Sequence, residues 1–451
     1  MSINAGAGDD FILIPGAPAN LDSIVSPLAL DGGTGFNSLV VDDGNDASGD
    51  VVTVTATGIG QAAGDTLFGA AGSLSHTNFT LVTVNLGSGN DQVTIVGSPA
   101  ATISTGPGMD IVELANLAEL NGTIDAGAGT DTLSYQAVSA PVLVELGTGV
   151  AHGTGGVQNF ENIVGRHGAD TLVGLDEERS ELTGGKGNDL LQGGTSHDLL
   201  DGGPGSDRLD GGKGNDTYRV GGGTDRIRDA AGKDTIDFSN ARRGVKVNLA
   251  STGKKRQRLG KGVGWLRLQA AIENVSGSNF ADRIIGNGLR NVLEGRGGKD
   301  TLTGAAGNDR IIGGAGVDRV VESADKNFKL TSSRLSGRGI DRLRSIERAT
   351  LEGGRSDNKL VASKFKGSVI LRGGLGNDAL KGGRRADLLV GGDGDDLLTG
   401  GKGRDQLVGG PGNDRIFVKD GSVDIVDGGI GWDRAVADTA DRTTSVEYLS
   451  G

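Results

Sequence analysis

An aspartate recurs every nine residues in three stretches of this chain, each time set among glycines. From Gly184 the chain reads GGKGNDLLQ, GGTSHDLLD, GGPGSDRLD and GGKGNDTYR; five further nonapeptides run from Gly277 to Val321 and five from Gly373 to Phe417. The sixth position is Asp in thirteen of the fourteen units, namely Asp189, Asp198, Asp207, Asp216, Asp282, Asp300, Asp309, Asp318, Asp378, Asp387, Asp396, Asp405 and Asp414, with Asn291 the exception. A carboxylate at a fixed place in every turn, beside glycines that leave room for their carbonyls to point at an ion, is oxygen-donor chemistry. Calcium is a hard cation that takes about six to eight such oxygens. The candidate ligands are therefore the sixth-position aspartates, joined by Asp170 from the turn before the first block. The turn glycines add carbonyls: Gly185, Gly187, Gly203, Gly205, Gly212, Gly214, Gly314, Gly316, Gly374, Gly376, Gly392, Gly394, Gly401, Gly403, Gly410 and Gly412.

The elements that must position these groups follow from the period. The eighth position is apolar in all fourteen units, from Leu191 to Ile416. Six turn residues are thus followed by a three-residue strand whose middle side chain points inward and whose neighbours point out. Two units make an 18-residue coil with two strands and two turns. Such a coil buries two apolar side chains and cannot stand alone, so coils must stack. The predicted fold class is all-β, a parallel β-roll or β-solenoid. Stacking places aspartates 18 apart in sequence one above another. Unneutralised, those columns repel; a calcium ion between adjacent turns answers both the charge and the free carbonyls.

The rest of the chain repeats the idea at longer spacing. Asp131 to Phe160-Glu161-Asn162-Ile163, Asp234 to Ile272-Glu273-Asn274-Val275 and Asp318 to Ile346-Glu347-Arg348 are copies of a longer unit that precedes each roll. Turn-like Asp91, Asp110 and Asp131, with alternating runs such as Val51-Val-Thr-Val-Thr55, predict wider solenoid coils at the N-terminus, with sparser calcium. The expected organisation is a wide-coil solenoid over 1–130, wide coils plus a roll over 131–219, 220–321 and 322–436, and a cap or tail over 437–451.

The glycine-rich GGxGxDxUx nonapeptide resembles the RTX (repeats-in-toxin), hemolysin-type calcium-binding β-roll family. That resemblance implies multiple calcium ions, roughly one per well-formed turn pair, shared between turns of adjacent coils. It also implies a roll that folds only with calcium, and a bacterial protein secreted or held at the cell surface, many relatives leaving by type I secretion. The sequence departs from the pattern where Ser196, Phe280, Leu289 and Arg385 replace the fourth-position glycine. Near Asp198, Asp282, Asn291 and Asp387 a turn filled without an ion is as good a reading as a calcium site, because a bulky residue there obstructs a turn carbonyl.

Composition narrows the alternatives. There are 84 glycines in 451 residues, well above the usual ~7 %, and aromatics are only 3 %. The formal charge of −13 disfavours nucleic acid and anionic membrane as partners. The chain has no cysteine, which rules out disulfides and thiolate metal sites. No apolar run is long enough to insert in a membrane, and the start shows no cleavable signal peptide, so a fragment, a misplaced start codon or export by an uncleaved C-terminal signal is expected. The basic run from Arg242 to Arg267 reads as a solvated hairpin or loop, with an anionic surface glycan as the alternative partner.

A catalytic site is not found. None of His76, His152, His167 and His197 lies in an HExxH motif, and neither a GxSxG elbow nor a P-loop is present. Ser196-His197-Asp198 are neighbours on one turn and cannot align as a triad. The expected role is calcium binding with calcium-induced folding and a structural or adhesive task. The alternative is a solenoid lyase, hydrolase or epimerase acting on polysaccharide.

Overall fold

The computed structural model describes the chain except residues 16–20, 70, 98–99 and 116–119. The described residues form β-strands and two short 3-10 turns, with no α-helix among them. Two compact units are present, Met1–Asp234 and Thr235–Gly451.

Strand alternation sets the core in both. In the first unit, parallel pairing aligns Val52, Val93, Val112, Leu133, Ile163, Leu182, Leu200 and Tyr218 in one continuous column. The wide N-terminal coils and the first nonapeptide roll therefore share a sheet and a register. A second column runs through Val144, Leu172, Leu191, Leu209 and Ile227. In the second unit Leu371, Leu389, Leu407 and Val426 stack on one face, and Leu360, Leu380, Leu398, Ile416 and Ala435 on the other. All of these side chains are buried.

The strands of the rolls are three residues long on one face, such as Leu397–Thr399, with the middle residue buried. On the opposite face of the third block they are longer than the period predicts: Leu388–Asp393 and Gln406–Pro411 run on through the glycine pair that opens the next unit. The backbones there lie directly over one another. A Cβ on Gly392, at φ +120°, would collide with the carbonyl oxygen of Gly374 one coil away.

Because each coil contributes so few core side chains, each one matters. Leu389 is fully buried. Leu389→Ala should cost roughly 2–5 kcal/mol in urea unfolding of the calcium-loaded chain, with the same change at exposed Leu397 costing far less.

The basic run folds as an antiparallel hairpin, Gln257–Gly260 with Gly264–Leu268, with the Arg256 guanidinium 5.0 Å over the half-exposed Trp265 ring. The tail continues the stack: Arg442–Thr444 pairs with Ile425–Ile430, and Tyr448–Ser450 with Arg434–Val436.

Candidate metal sites

The sixth-position residue of each unit sits at the strand entrance with its side chain turned into the turn, where burial is close to complete. Stacking fixes what its first oxygen does. Asp207 Oδ1 accepts the backbone N–H of Asp189 at 3.0 Å, Asp216 Oδ1 that of Asp198 at 2.8 Å and Asp396 Oδ1 that of Asp378 at 2.7 Å. Asp414 and Asp405 do the same for Asp396 and Asp387. The aspartate columns are thus stitched coil to coil by charge-assisted hydrogen bonds, which shorten and strengthen the contact. Like charge does not stand unanswered along them, but this ladder takes up only one oxygen of each carboxylate.

The second oxygen divides the fourteen units into two classes. In Asp189, Asp207, Asp216, Asp300, Asp309, Asp318, Asp378, Asp396, Asp405 and Asp414, Oδ2 is buried without a hydrogen-bond partner. These are the ten units whose fourth position is glycine. In the other four the unit caps itself through the N–H of its second residue. Gly194 donates to Asp198 Oδ2 at 2.8 Å, Ser278 to Asp282 Oδ2 at 2.6 Å, Asn287 to Asn291 Oδ1 at 2.9 Å and Gly383 to Asp387 Oδ2 at 2.6 Å.

Backbone conformation explains the split. In the ten open turns the second residue is left-handed, at φ between +69° and +121°. In the four closed turns it is not. The fourth residue goes with the form in eight of the ten open turns: Gly214, Gly298, Gly307, Gly316, Gly376, Gly394, Gly403 and Gly412 take positive φ, whereas Gly187 and Gly205 do not; positive φ is costly for Ser196, Phe280, Leu289 or Arg385. A side chain at position four thus goes with the closed form of the turn in all four units.

An unpartnered carboxylate oxygen in a buried turn is expensive. Burial first, and then the charge of neighbouring aspartates, pushes the carboxyls of Asp207, Asp216, Asp300, Asp309 and Asp396 up to about 7, against the lowering effect of the backbone hydrogen bond to Oδ1. Asp378, Asp405 and Asp414 rise to about 6 for the same first cause. A cation against Oδ2 relieves this. The donor set is all oxygen, as calcium requires, so the residues fit the ion.

The candidate glycines of positions two and four line these open turns, and Asp170 shares their pattern, its Oδ1 accepting from Val142 and its Oδ2 unpartnered. Several further residues belong to the same columns. Asp225, Asp424 and Asp433 carry buried unpartnered Oδ2 atoms; the GGIGWD unit at Gly428 had the full signature, whereas Asp225 and Asp424 are found only by stepping 18 or 19 residues from Asp207 and Asp405. In the wide coils the ladder runs Asp50 to Asp91, Asp91 to Asp110 and Asp110 to Asp131. Glu161, Glu347 and Glu447 supply its rungs at the longer units, accepting from Asp131, Asp318 and Asp433. The recurring Glu of the longer repeat was visible in the sequence, but its role was not.

A family model described as RTX calcium-binding nonapeptide repeat (4 copies) matches residues 183–218, 276–304, 285–320, 366–389, 372–407 and 381–416. No curated protein matches the chain. Among solved structures, the chain is similar to a hyperactive, Ca2+-dependent, beta-helical antifreeze protein from an Antarctic bacterium, at 14 % identity over 92 % of this chain and 84 % of that one. The TM-score is 0.15, too low to bear on fold or function. Among the described residues no helix is long and apolar enough to cross a membrane. The blocks at 183–218, 276–320 and 366–416, stacked as parallel β-rolls, are RTX calcium-binding nonapeptide repeats.

Proposed function

We propose that the chain is an extracellular or cell-surface bacterial protein whose rolls fold on calcium, and that its task is structural or adhesive, with a surface component such as a glycan as partner. The observation that carries the calcium reading is the division of the turns: ten buried Oδ2 atoms without partners where position four is glycine, and none where it is not. In this reading the ten aspartates and Asp170 hold ions together with the carbonyls of the glycines at positions two and four, while Asp198, Asp282 and Asp387 are closed turns that hold none. Extracellular sites of this kind bind at ~10⁻⁴–10⁻³ M, a range filled outside the cell and empty in the cytosol. The chain would therefore be loose and exportable before secretion and rigid after it.

Ion counting tests the division. Asp396→Asn should lower the number of calcium ions bound per chain, measured by atomic emission after equilibrium dialysis at 10 mM calcium. Asp387→Asn should leave that number unchanged and cost stability instead, because one of the two N–H groups that Asp387 accepts, from Val369 and Gly383, would face an amide donor. Equal loss of ions from both variants would sink the assignment.

A further inference from the structure

The N-terminal wide coils contain an acidic turn that the nonapeptide period does not touch. Between strands Ser38–Asp42 and Val51–Thr55, Asp43, Asp46 and Asp50 each bring a carboxylate oxygen within 4.8 Å of the other two. Asp43 is 1 % exposed and Asp50 4 %, with Asp46 half-buried. This is not a patch of solvated charge.

The turn is held in place by bonds that leave carboxylate capacity over. The N–H of Asp43 donates to the Asn85 carbonyl at 2.9 Å, and the Asp46 carbonyl accepts from Ser88 at 2.8 Å, so the next coil fixes the backbone. Asp43 Oδ1 accepts from the N–H of Leu21 at 3.1 Å, and Asp46 accepts from the N–H and hydroxyl of Ser48. Asp50 is different. Its N–H donates to Asp91 Oδ1 at 2.8 Å, but its own Oδ2 is buried and has no hydrogen-bond partner. Burial, reinforced by the charges of Asp43, Asp91, Asp46 and Asp22, lifts its carboxyl to about 7.

The stretch of chain that carries this turn supplies no lysine or arginine to balance its charge. The first 165 residues hold seventeen acidic side chains and no Lys or Arg, the first being Arg166. His76 is buried, and burial lowers its pKa. A cation from solution would supply countercharge to the turn.

We propose that Asp43, Asp46 and Asp50 form a separate divalent-cation site, outside the nonapeptide repeats, that takes calcium. Three carboxylates, one of them with a buried oxygen that has no hydrogen-bond partner, are a hard-cation donor set, and a flexible oxygen cage of this kind favours calcium over magnesium, which keeps its waters. The ion clamps the turn to the segment at Leu21 and to the following coil.

The test uses crystals of the whole chain grown in calcium, with the calcium anomalous signal as readout. A peak is expected among the three carboxylates at about 2.3–2.6 Å from their oxygens. In solution, Asp46→Asn should bind one calcium fewer per chain than the wild type while the circular dichroism of the calcium-loaded chain stays the same. Peaks in the rolls with none at this turn, or an unchanged ion count in Asp46→Asn, would overturn the site and leave the roll reading intact. A peak here with empty rolls would do the reverse.

Discussion

Withdrawal of calcium at pH 7.5 is expected to unfold the nonapeptide rolls while the wide N-terminal coils keep part of the β signal. At 1–10 mM calcium a ~10⁻⁴ M site adds roughly 1.4–2.7 kcal/mol to the folded state. Ten open turns would together contribute on the order of 15–25 kcal/mol, against a usual net stability of ~5–15 kcal/mol for a domain. The rolls have little else to draw on. A strand such as Leu397–Thr399 buries one side chain, whereas the wide-coil strands Ser38–Asp42 and Leu81–Asn85 bury two each: Leu39 with Val41, and Val82 with Val84. The measurement is far-UV circular dichroism from EGTA to 10 mM calcium, with magnesium as control. A cooperative coil-to-β transition with calcium alone is the expected result. A full β signal in EGTA would mean that the Oδ1 ladder holds the columns by itself, and that calcium does not drive folding.

That ladder is where sequence and structure part company. The inward position is legible at sight, because Leu389, Leu398 and Leu407 recur at nine residues and nothing but a stacked coil uses that period. The place of Asp396 in its turn is legible for the same reason. What Asp396 does with each oxygen is not, since its Oδ1 bonds to a residue 18 positions earlier and its Oδ2 depends on a backbone torsion. Position two is actively misleading. Arg296 and Ala305 take the left-handed conformation of an open turn at φ +71° and +69°, while Gly194 and Gly383, which could take it freely, do not. The fourth residue separates both cases, so the informative glycine is the fourth, whose replacement by Ser196, Phe280, Leu289 or Arg385 already put those sites in question. The Asp43 turn escaped for a further reason: its ligands meet through a bend between two strands, and spacings of three and four residues carry no repeat signal.

Acid should substitute for calcium. The carboxyls of Asp207, Asp216, Asp300, Asp309 and Asp396 stand at about 7 in the calcium-free fold, raised by burial and by neighbouring aspartates, against ~3.9 in an unfolded chain. A raised carboxyl pKa means that between about pH 4 and pH 7 the folded state holds protons that the unfolded state has released. Stability of the calcium-free rolls must therefore fall as pH rises through that window. Each such group contributes at most ~1.4 kcal/mol per pH unit, and even half of that over five groups is about 3 kcal/mol per unit. Calcium works in the opposite sense, because it binds the deprotonated carboxylate and must displace the proton to do so. Two urea series on chain dialysed free of metal check both signs. Without calcium, the rolls should show a urea unfolding transition at pH 5 and little or none at pH 7.5. Saturating calcium should raise the midpoint strongly at pH 7.5 and little at pH 5. Calcium-free stability that is flat or rises over this range would show that the Oδ2 atoms are solvated in the metal-free state. The turns would then open to water rather than wait for an ion, and the column of buried aspartates would exist only once calcium is bound.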